Sequence, residues 1–171
     1  MQIDELIRKR RSVRRFEDRP VSAETVETLL EMAQWAPSAG NRQPWHFYVV
    51  QDSSLREQLA EAAGGQQFIA EAPVTIVVCA DPERSAGRYG ERGRSLYCLQ
   101  DTAAAVQNIL LTVEYMGLGA CWIGAFDEQK CSQVLSVPSN LRPVAMIPVG
   151  HPAGEARTPR RRPLEDIVTR L

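Results

Sequence analysis

The sequence predicts an α+β fold (mixed α/β), with helices arranged around one sheet. Three apolar segments of strand length, at 46–50, 74–80 and 143–149, alternate with longer segments of helical periodicity. This alternation is typical of a single sheet covered by helices. The segment at 74–80 contains only β-branched or small residues, which indicates a buried strand. At 171 residues the chain can form a substantial core, and we expect residues 1–171 to make one domain.

The helices of the first half follow from apolar spacing and from their end residues. Apolar positions between residues 3 and 7 predict a short helix that ends near Arg10. Ser22 is a good N-cap for the next helix, and Pro37 ends it. Small, polar and proline residues then predict a loop at 37–44. A third helix is expected at 55–63, where Gly64 follows as a stop signal.

The second half contains the longest helical pattern. Residues 81–95 are polar with three glycines, and we interpret them as a surface excursion. Residues 97–116 are apolar around most of a helical circumference, which predicts a helix buried on several sides. Asp127 is expected to cap a helix that runs to Leu135. A basic, proline-rich tail follows the last strand.

Positive charge is concentrated at the two ends of the chain. Six of the eight residues from Arg8 to Arg15 are cationic, and Arg157 and residues 160–162 form a second cluster, although the formal net charge is -1. Arginine binds phosphate with a planar fork of donors, so two clusters brought together by folding would suit a dianion. Each cluster could also be a solvated surface. Nucleic acid and membrane are disfavoured as partners because the runs are short and have no interleaved aromatic residues.

Several functional classes lack their sequence signals. No apolar run reaches the ~20 residues of a spanning helix, and no secretory signal is visible at the N-terminus. The four cysteines are widely spaced and only two histidines, His46 and His151, are present, so we expect no metal site and a reduced, cytoplasmic protein. The glycine-rich turns of dinucleotide and P-loop sites are also missing. A bound phosphate would therefore be held by side chains and other backbone amides.

Five segments carry a more specific signal, in this order along the chain: RRSVR at 10–14, APSAGNRQPW at 36–45, GLGACWIG at 117–124, IPVGHP at 147–152 and RRRPLEDIV at 160–168. Each is weak alone. Together they resemble the nitroreductase family of FMN-dependent oxidoreductases over almost the whole length. The resemblance implies a mixed β-sheet flanked by helices, in an intertwined homodimer with two FMN sites at its interface.

The resemblance also assigns roles to individual residues. The N-terminal basic segment would hold the FMN phosphate and ribityl chain, with Arg161 the best tail candidate and its two neighbours as alternatives. The loop at 37–41 would come from the other subunit, and residues 122–124 would run along the isoalloxazine. The implied cofactor-binding residues are Arg10, Arg11, Ser12, Arg14, Pro37, Ser38, Ala39, Asn41, Trp122, Ile123, Gly124, Arg160, Arg161 and Arg162. Without the resemblance, Asn41 would be a plain turn residue and Trp122 an ordinary core residue.

The activity implied by the resemblance needs no catalytic side chain. NAD(P)H, a transient hydride donor, would pass hydride to flavin N5, and a nitroaromatic, quinone or similar small-molecule acceptor would then be reduced by a ping-pong mechanism. Two alternatives stay open. The chain could store or sense FMN without turnover, or it could be a relative with another reaction, such as reductive dehalogenation or flavin fragmentation.

Overall fold

The computed structural model describes residues 2–171. Its α-helices are α1 (Ile3–Lys9), α2 (Ala23–Gln34), α3 (Ser53–Ala62), α4 (Phe68–Glu71), α5 (Pro82–Arg92), α6 (Cys98–Tyr115) and α7 (Glu128–Leu135). Its strands are β1 (Trp45–Val50), β2 (Val74–Ala80), β3 (Gly119–Ala120) and β4 (Arg142–Gly150). Short 3₁₀ helices cover Ala39–Asn41 and Leu164–Asp166, and a π-helical turn covers Gly93–Tyr97. None of the helices in residues 2–171 is long and apolar enough to cross a membrane.

The four strands form one sheet in the order β1-β2-β4-β3, and each pair of neighbours is antiparallel. The three predicted strands are confirmed to within a residue at each end. The short edge strand β3 was not predicted because two residues are too few for a periodic pattern. Within residues 2–171, the parallel pairing is one isolated bridge, between Ser12 and Ala120 of β3.

Helices cover both faces of the sheet, which explains why every residue of β2 is buried. Alternate residues of a strand point to opposite faces. On β2, Ile76 and Val78 lie in the core shared with α2 and α6, whereas Val77 and Cys79 lie in the core shared with α3, α4 and α7. The arrangement is therefore a three-layer sandwich, and it confirms the predicted α+β class.

Local capping fixes the helix starts that the sequence predicts. The Ser22 side chain accepts a hydrogen bond from the Thr25 amide at 3.1 Å, and Asp127 accepts from the amides of Gln129 and Lys130. The third helix has Asp52 as its N-cap, bonded to the Leu55 amide at 2.9 Å. These caps satisfy amides that have no partner inside the helix.

The stretch at 81–95, interpreted as a surface excursion, is helical. Asp81 caps α5 by accepting from the Arg84 amide at 3.0 Å, and Pro82 stands at the first turn. The glycines that suggested a loop interrupt the helix only at Gly90, where φ is 56°. Through the π-helical turn, α5 leads directly into α6, so this segment is ordered structure on the outside of the molecule.

Candidate functional site

The N-terminal basic segment lies along the β3 edge of the sheet. The Val13 amide donates to the Ala120 carbonyl at 2.9 Å, next to the bridge between Ser12 and Ala120. Gly119 makes this close approach possible, because a Cβ there would lie 2.8 Å from the Val13 side chain. Gly119, which lies in the family-like segment at 117–124, thus lets the basic segment pack against the sheet.

Basic residues from both ends of the chain meet at one cavity of about 210 Å³. The chain leaves β4 beside this segment, because the Ala153 amide donates to the Arg15 carbonyl at 3.0 Å. Further on, the Arg11 Nε donates to the Thr158 hydroxyl at 3.2 Å. The lining residues are Ser12, Val13, Arg14, Arg15, Ala153, Gly154, Glu155, Ala156 and Arg157. This arrangement agrees with the hypothesis that folding brings the two basic clusters together.

The cationic tail residue that lines this cavity is Arg157, a member of the second basic cluster that the family resemblance did not include among the cofactor-binding residues. Residues 160–162 lie farther along the tail and are exposed. Arg161 Nη1 is 3.4 Å from the carbonyls of Pro159 and Arg160, and Arg162 Nη2 donates to the Asp166 carbonyl at 2.9 Å. The guanidinium groups of Arg161 and Arg162 therefore bond within the tail, and none of residues 160–162 lines the cavity in a single chain.

Residues 121–124 continue from β3 along the same edge. The buried Ile123 exchanges backbone hydrogen bonds of 2.9 and 3.0 Å with Met146 of β4. Its neighbours face outward: Trp122 is 41% exposed, and a Cβ on Gly124 would meet nothing within 4 Å. This stretch is a flat, open ledge beside the basic segment.

The buried Cys121 thiol marks where the ledge and the basic segment touch. Burial raises the pKa of Cys121, and the positive charges of Arg14 and Arg10, with a hydrogen bond from Ser12, partly oppose that rise. The positive charges of Arg14 and Arg10 therefore act on Cys121, at the start of the ledge. Arg14 also lies over the Phe68 ring at 6.0 Å, a cation–π distance.

The loop at 37–41 is held in a rarely populated backbone conformation. Gly40 and Asn41 have φ of 56° and 54°, and Gln43 has φ of 51°. Ser38 Oγ accepts from the Gln43 amide at 3.0 Å, and the Gln43 side chain donates to Asn41 Oδ1 at 3.1 Å. Such left-handed residues cost free energy and persist where the surroundings hold them, often at functional sites.

A buried carboxylate that sequence reasoning missed anchors this loop. Asp101 of α6 is 7% exposed, and its Oδ1 accepts from the Ala39 amide at 3.1 Å. Its Oδ2 has no partner in the part of the chain described. Burial raises the pKa of Asp101, and the Ala39 hydrogen bond only partly offsets this. The available sequence signal was an acid in the first turn of a largely apolar helix.

With this geometry in view, comparison with known proteins identifies the family. The sequence profile of the Nitroreductase family matches residues 7–67 and 62–151. This chain belongs to the nitroreductase family. It is 37% identical over 154 residues to a provisionally named NADH dehydrogenase/NAD(P)H nitroreductase of Archaeoglobus fulgidus, covering 88% of this chain and 85% of that one.

Two further relatives extend the comparison. An FMN reductase (NADPH) of Bacillus subtilis is 31% identical over 176 residues, which is 95% of this chain and 71% of that protein. The structure of the NADPH:FMN oxidoreductase of Vibrio harveyi, complexed with NAD+, superposes with a TM-score of 0.89 at 28% identity, covering 98% of this chain and 76% of that one. The resemblance seen in the sequence is confirmed.

In this nitroreductase-family chain, the loop at 37–41 and the basic segment lie at diagonally opposite corners of the sheet. The loop enters β1 at Trp45, which pairs with Ala80 of β2, and Ala80 pairs in turn with Arg142 at the start of β4. The strand β3 pairs with the other end of β4. Counting seven residues along β4 and three strand spacings across the sheet puts Trp45, at the end of the loop, roughly 27 Å from Ala120, beside the basic segment.

A cluster of metal ligands is also absent from the part of the chain that the structure describes. Among residues 2–171, no group of three or more His, Cys, Asp or Glu side chains could hold a metal ion.

Proposed function

We propose that this chain is an FMN-dependent oxidoreductase that transfers hydride from NAD(P)H to nitroaromatic, quinone or similar small acceptors. The observation that carries the proposal is the arginine-lined cavity at the foot of an open ledge, in a chain of the nitroreductase family. The relatives named as an FMN reductase and as an NADPH:FMN oxidoreductase support the choice of cofactor and donor.

The cavity fits the phosphate end of FMN. Arg14, Arg15 and Arg157 line it, and Arg11 lies beside it, bonded to the tail. Guanidinium groups bind phosphate through charge-assisted, bidentate hydrogen bonds. At about 210 Å³ the cavity is smaller than the ~300–1,000 Å³ of pockets that enclose whole ligands. It therefore suits a phosphate and part of the ribityl chain, with the Ser12 hydroxyl available in its lining.

The ledge fits the ring system. Trp122 is exposed, and the open side of Gly124 leaves its backbone accessible, so a planar ring could lie along residues 122–124. The backbone hydrogen bonds between Ile123 and Met146 fix the position of the ledge relative to β4. FMN supplies the hydride chemistry when bound, and the protein's contribution is binding, orientation and electrostatics. The positive charge of Arg14 would favour negative charge on the reduced ring.

The proposed unit is a homodimer in which the loop at 37–41 completes the partner's site. A separation of roughly 27 Å exceeds what one ring can bridge inside one chain. An apolar groove of about 430 Å³ is lined by residues of α1, α2 and α6 and by Trp35, which follows α2. It supports a partner surface, because Trp35 and Tyr115 in its lining are 79% and 67% exposed. The tail exposes Leu164 and Ile167 as well. Apolar side chains of this number at the surface favour association.

The proposal assigns no side chain as an acid or a base. His46 is exposed and contacts Tyr48 edge-on, and His151 accepts a backbone hydrogen bond from Glu17 through its carbonyl. Both lie outside the cavity lining. Donor and acceptor would occupy the same open side of the ledge in turn, and shared use of one face gives ping-pong kinetics.

The test is anaerobic reduction of the purified protein. We expect a yellow protein that releases FMN on heating. Under nitrogen, NADH or NADPH should bleach its flavin absorbance, and a quinone should restore that absorbance. Parallel double-reciprocal plots would support ping-pong turnover. A yellow protein that neither nicotinamide bleaches would replace the reductase with a storage module, and a colourless protein that binds no added FMN would overturn the proposal.

A further inference from the structure

Three arginines meet on the outer surface next to the loop at 37–41. Arg42 Nε donates to the Arg84 carbonyl at 2.9 Å, and Arg84 Nε donates back to the Arg42 carbonyl. Arg88 follows one turn later on α5, and its Nη1 lies 3.0 Å from where a Cβ on Gly40 would be. We call Arg42, Arg84 and Arg88 the arginine patch.

No acidic side chain in the described part of the chain neutralises the patch. Within residues 2–171, no carboxylate oxygen lies within 4 Å of a guanidinium nitrogen of the patch. By contrast, Arg94 pairs with Glu83 and Glu91, and Arg142 pairs with Glu128 through two hydrogen bonds of 2.8 Å. Three like charges held together without an acid repel one another, and an anion that binds all three relieves that repulsion.

The patch also occupies a definite place relative to the proposed reaction. A Cβ on Gly40 would lie 2.5 Å from the Tyr89 hydroxyl and 3.0 Å from Arg88 Nη1, so the patch borders the loop directly. If the loop reaches the partner's ring, the patch lies at the rim of the opening through which a nicotinamide donor arrives. The patch is far from the phosphate cavity, which lies at the other corner of the sheet.

We infer that the arginine patch binds the 2′-phosphate of NADPH and gives the enzyme a preference for NADPH over NADH. This inference rests on the proposed function. A phosphate monoester carries nearly two negative charges at neutral pH and several acceptor oxygens, which match planar guanidinium forks. NADH has only a ribose hydroxyl at that position, and a hydroxyl gains no ionic attraction from the patch.

Two properties of the patch favour a small phosphate over nucleic acid. Its three cations are confined to one turn of α5 and the adjoining loop residue. The left-handed Gly90 interrupts the helix before Arg92, whose Nε donates to the Tyr97 hydroxyl at 3.0 Å. The aromatic side chains nearby are engaged with the protein: Tyr89 packs edge-on against Tyr97 at 5.2 Å, and Arg88 lies over the Tyr89 ring at 5.5 Å. They offer no free face for base stacking.

The test compares Arg84→Ala/Arg88→Ala with the control Arg92→Ala. Arg92 lies on the same helix but stacks on Tyr97 at 5.4 Å, outside the patch. In the double variant we expect KM for NADPH to rise by about tenfold to a hundredfold, from the loss of charged hydrogen bonds. KM for NADH should change less than twofold, and the control should retain both values.

A binding measurement makes the result independent of turnover. Adenosine 2′,5′-bisphosphate and 5′-AMP are titrated by calorimetry into the holoprotein. The bisphosphate should bind the wild type at least tenfold more tightly than 5′-AMP, and the double variant should bind both alike. Equal affinities in the wild type would overturn the inference, and so would equal losses for NADPH and NADH. Salt-dependent DNA retention that disappears in the double variant would instead assign the patch to nucleic acid. If neither nicotinamide reduces the flavin, the proposed function fails, but this titration still measures whether the patch binds a 2′-phosphate.

Discussion

Replacing Arg14 with alanine separates cofactor binding from folding. The exposed Arg14 has no carboxylate within 4 Å in residues 2–171, and its contact with Phe68 is a cation–π approach of 6.0 Å. At an exposed site such a contact is worth about 0.5–1 kcal/mol. If Arg14 holds the FMN phosphate, each lost charged hydrogen bond costs about 1.5–3 kcal/mol of binding free energy. Cofactor affinity should therefore fall by more than fold stability.

These magnitudes convert into a measurable contrast. A loss of about 1.5–3 kcal/mol raises the dissociation constant of FMN by roughly 10- to 150-fold. We expect this in fluorescence titrations of apoprotein with FMN, while urea unfolding of the apoprotein changes by no more than about 1 kcal/mol. Arg14→Lys should give an intermediate constant, because it keeps the charge but loses the fork.

Arg8→Ala is the matched control for Arg14→Ala. Arg8 belongs to the same basic run, but it is exposed on α1 and does not line the cavity. Its removal lowers the net positive charge of the segment by the same amount and should leave the dissociation constant of FMN within about twofold. An Arg14→Ala protein with wild-type FMN affinity, or an Arg8→Ala protein with the same loss, would refute the assignment of Arg14 to the phosphate.

Three further predictions concern the fold. Gly119→Ala places a methyl group 2.8 Å from Val13; it should cost about 1–3 kcal/mol in thermal unfolding and reduce FMN content, and full retention of both would contradict the seating role of this glycine. Burial raises the Asp101 pKa above its ordinary 3.8, so the folded state holds its proton longer. Its contribution to stability is then present below that value and is lost as pH rises through the folded pKa. Urea unfolding above pH 4 should show this decline in the wild type and not in Asp101→Asn, and parallel profiles would disprove it. Ile147→Ala removes a side chain that is 0% exposed and should cost about 2–5 kcal/mol, whereas Val49→Ala, at 40% exposure, should cost about 0.5 kcal/mol or less.

The sequence predicts those parts of the fold that depend on local chemistry. Ser22 and Asp127 each satisfy amides two or three residues away, so their roles follow from the sequence alone. The three longer strands have enough consecutive apolar residues to be recognised. The helix α4 and the strand β3 are too short for periodicity, and both depend on packing against the rest of the chain.

The stretch at 81–95 shows how glycines can mislead. Three of them suggested a loop, but Asp81 and Pro82 provide a strong helix start and the chain remains helical into α6. The cap and the packing of the helix against the π-helical turn together offset the glycine penalty of ~1 kcal/mol per residue.

Some parts of the site could be predicted from local sequence, and others depend on contacts that only the fold creates. The family segments indicated the basic segment, the ledge and the loop at 37–41 before any fold was known. Asp101 and the arginine patch were not singled out, because each depends on a residue distant in sequence: Asp101 on Ala39, and Arg84 on Arg42. Arg157 was placed in the basic tail cluster, but its selection over residues 160–162 also required the fold. The diagonal separation of loop and cavity also required the strand order.

The central claim is that two copies of the chain build two FMN sites, each from opposite corners of different subunits. Native mass spectrometry of the purified holoprotein tests it most directly. We expect a dimer of the 19.1 kDa chain with two FMN molecules, and loss of FMN whenever the dimer dissociates to monomer. A monomer that retains FMN, or a dimer that binds none, would contradict the account.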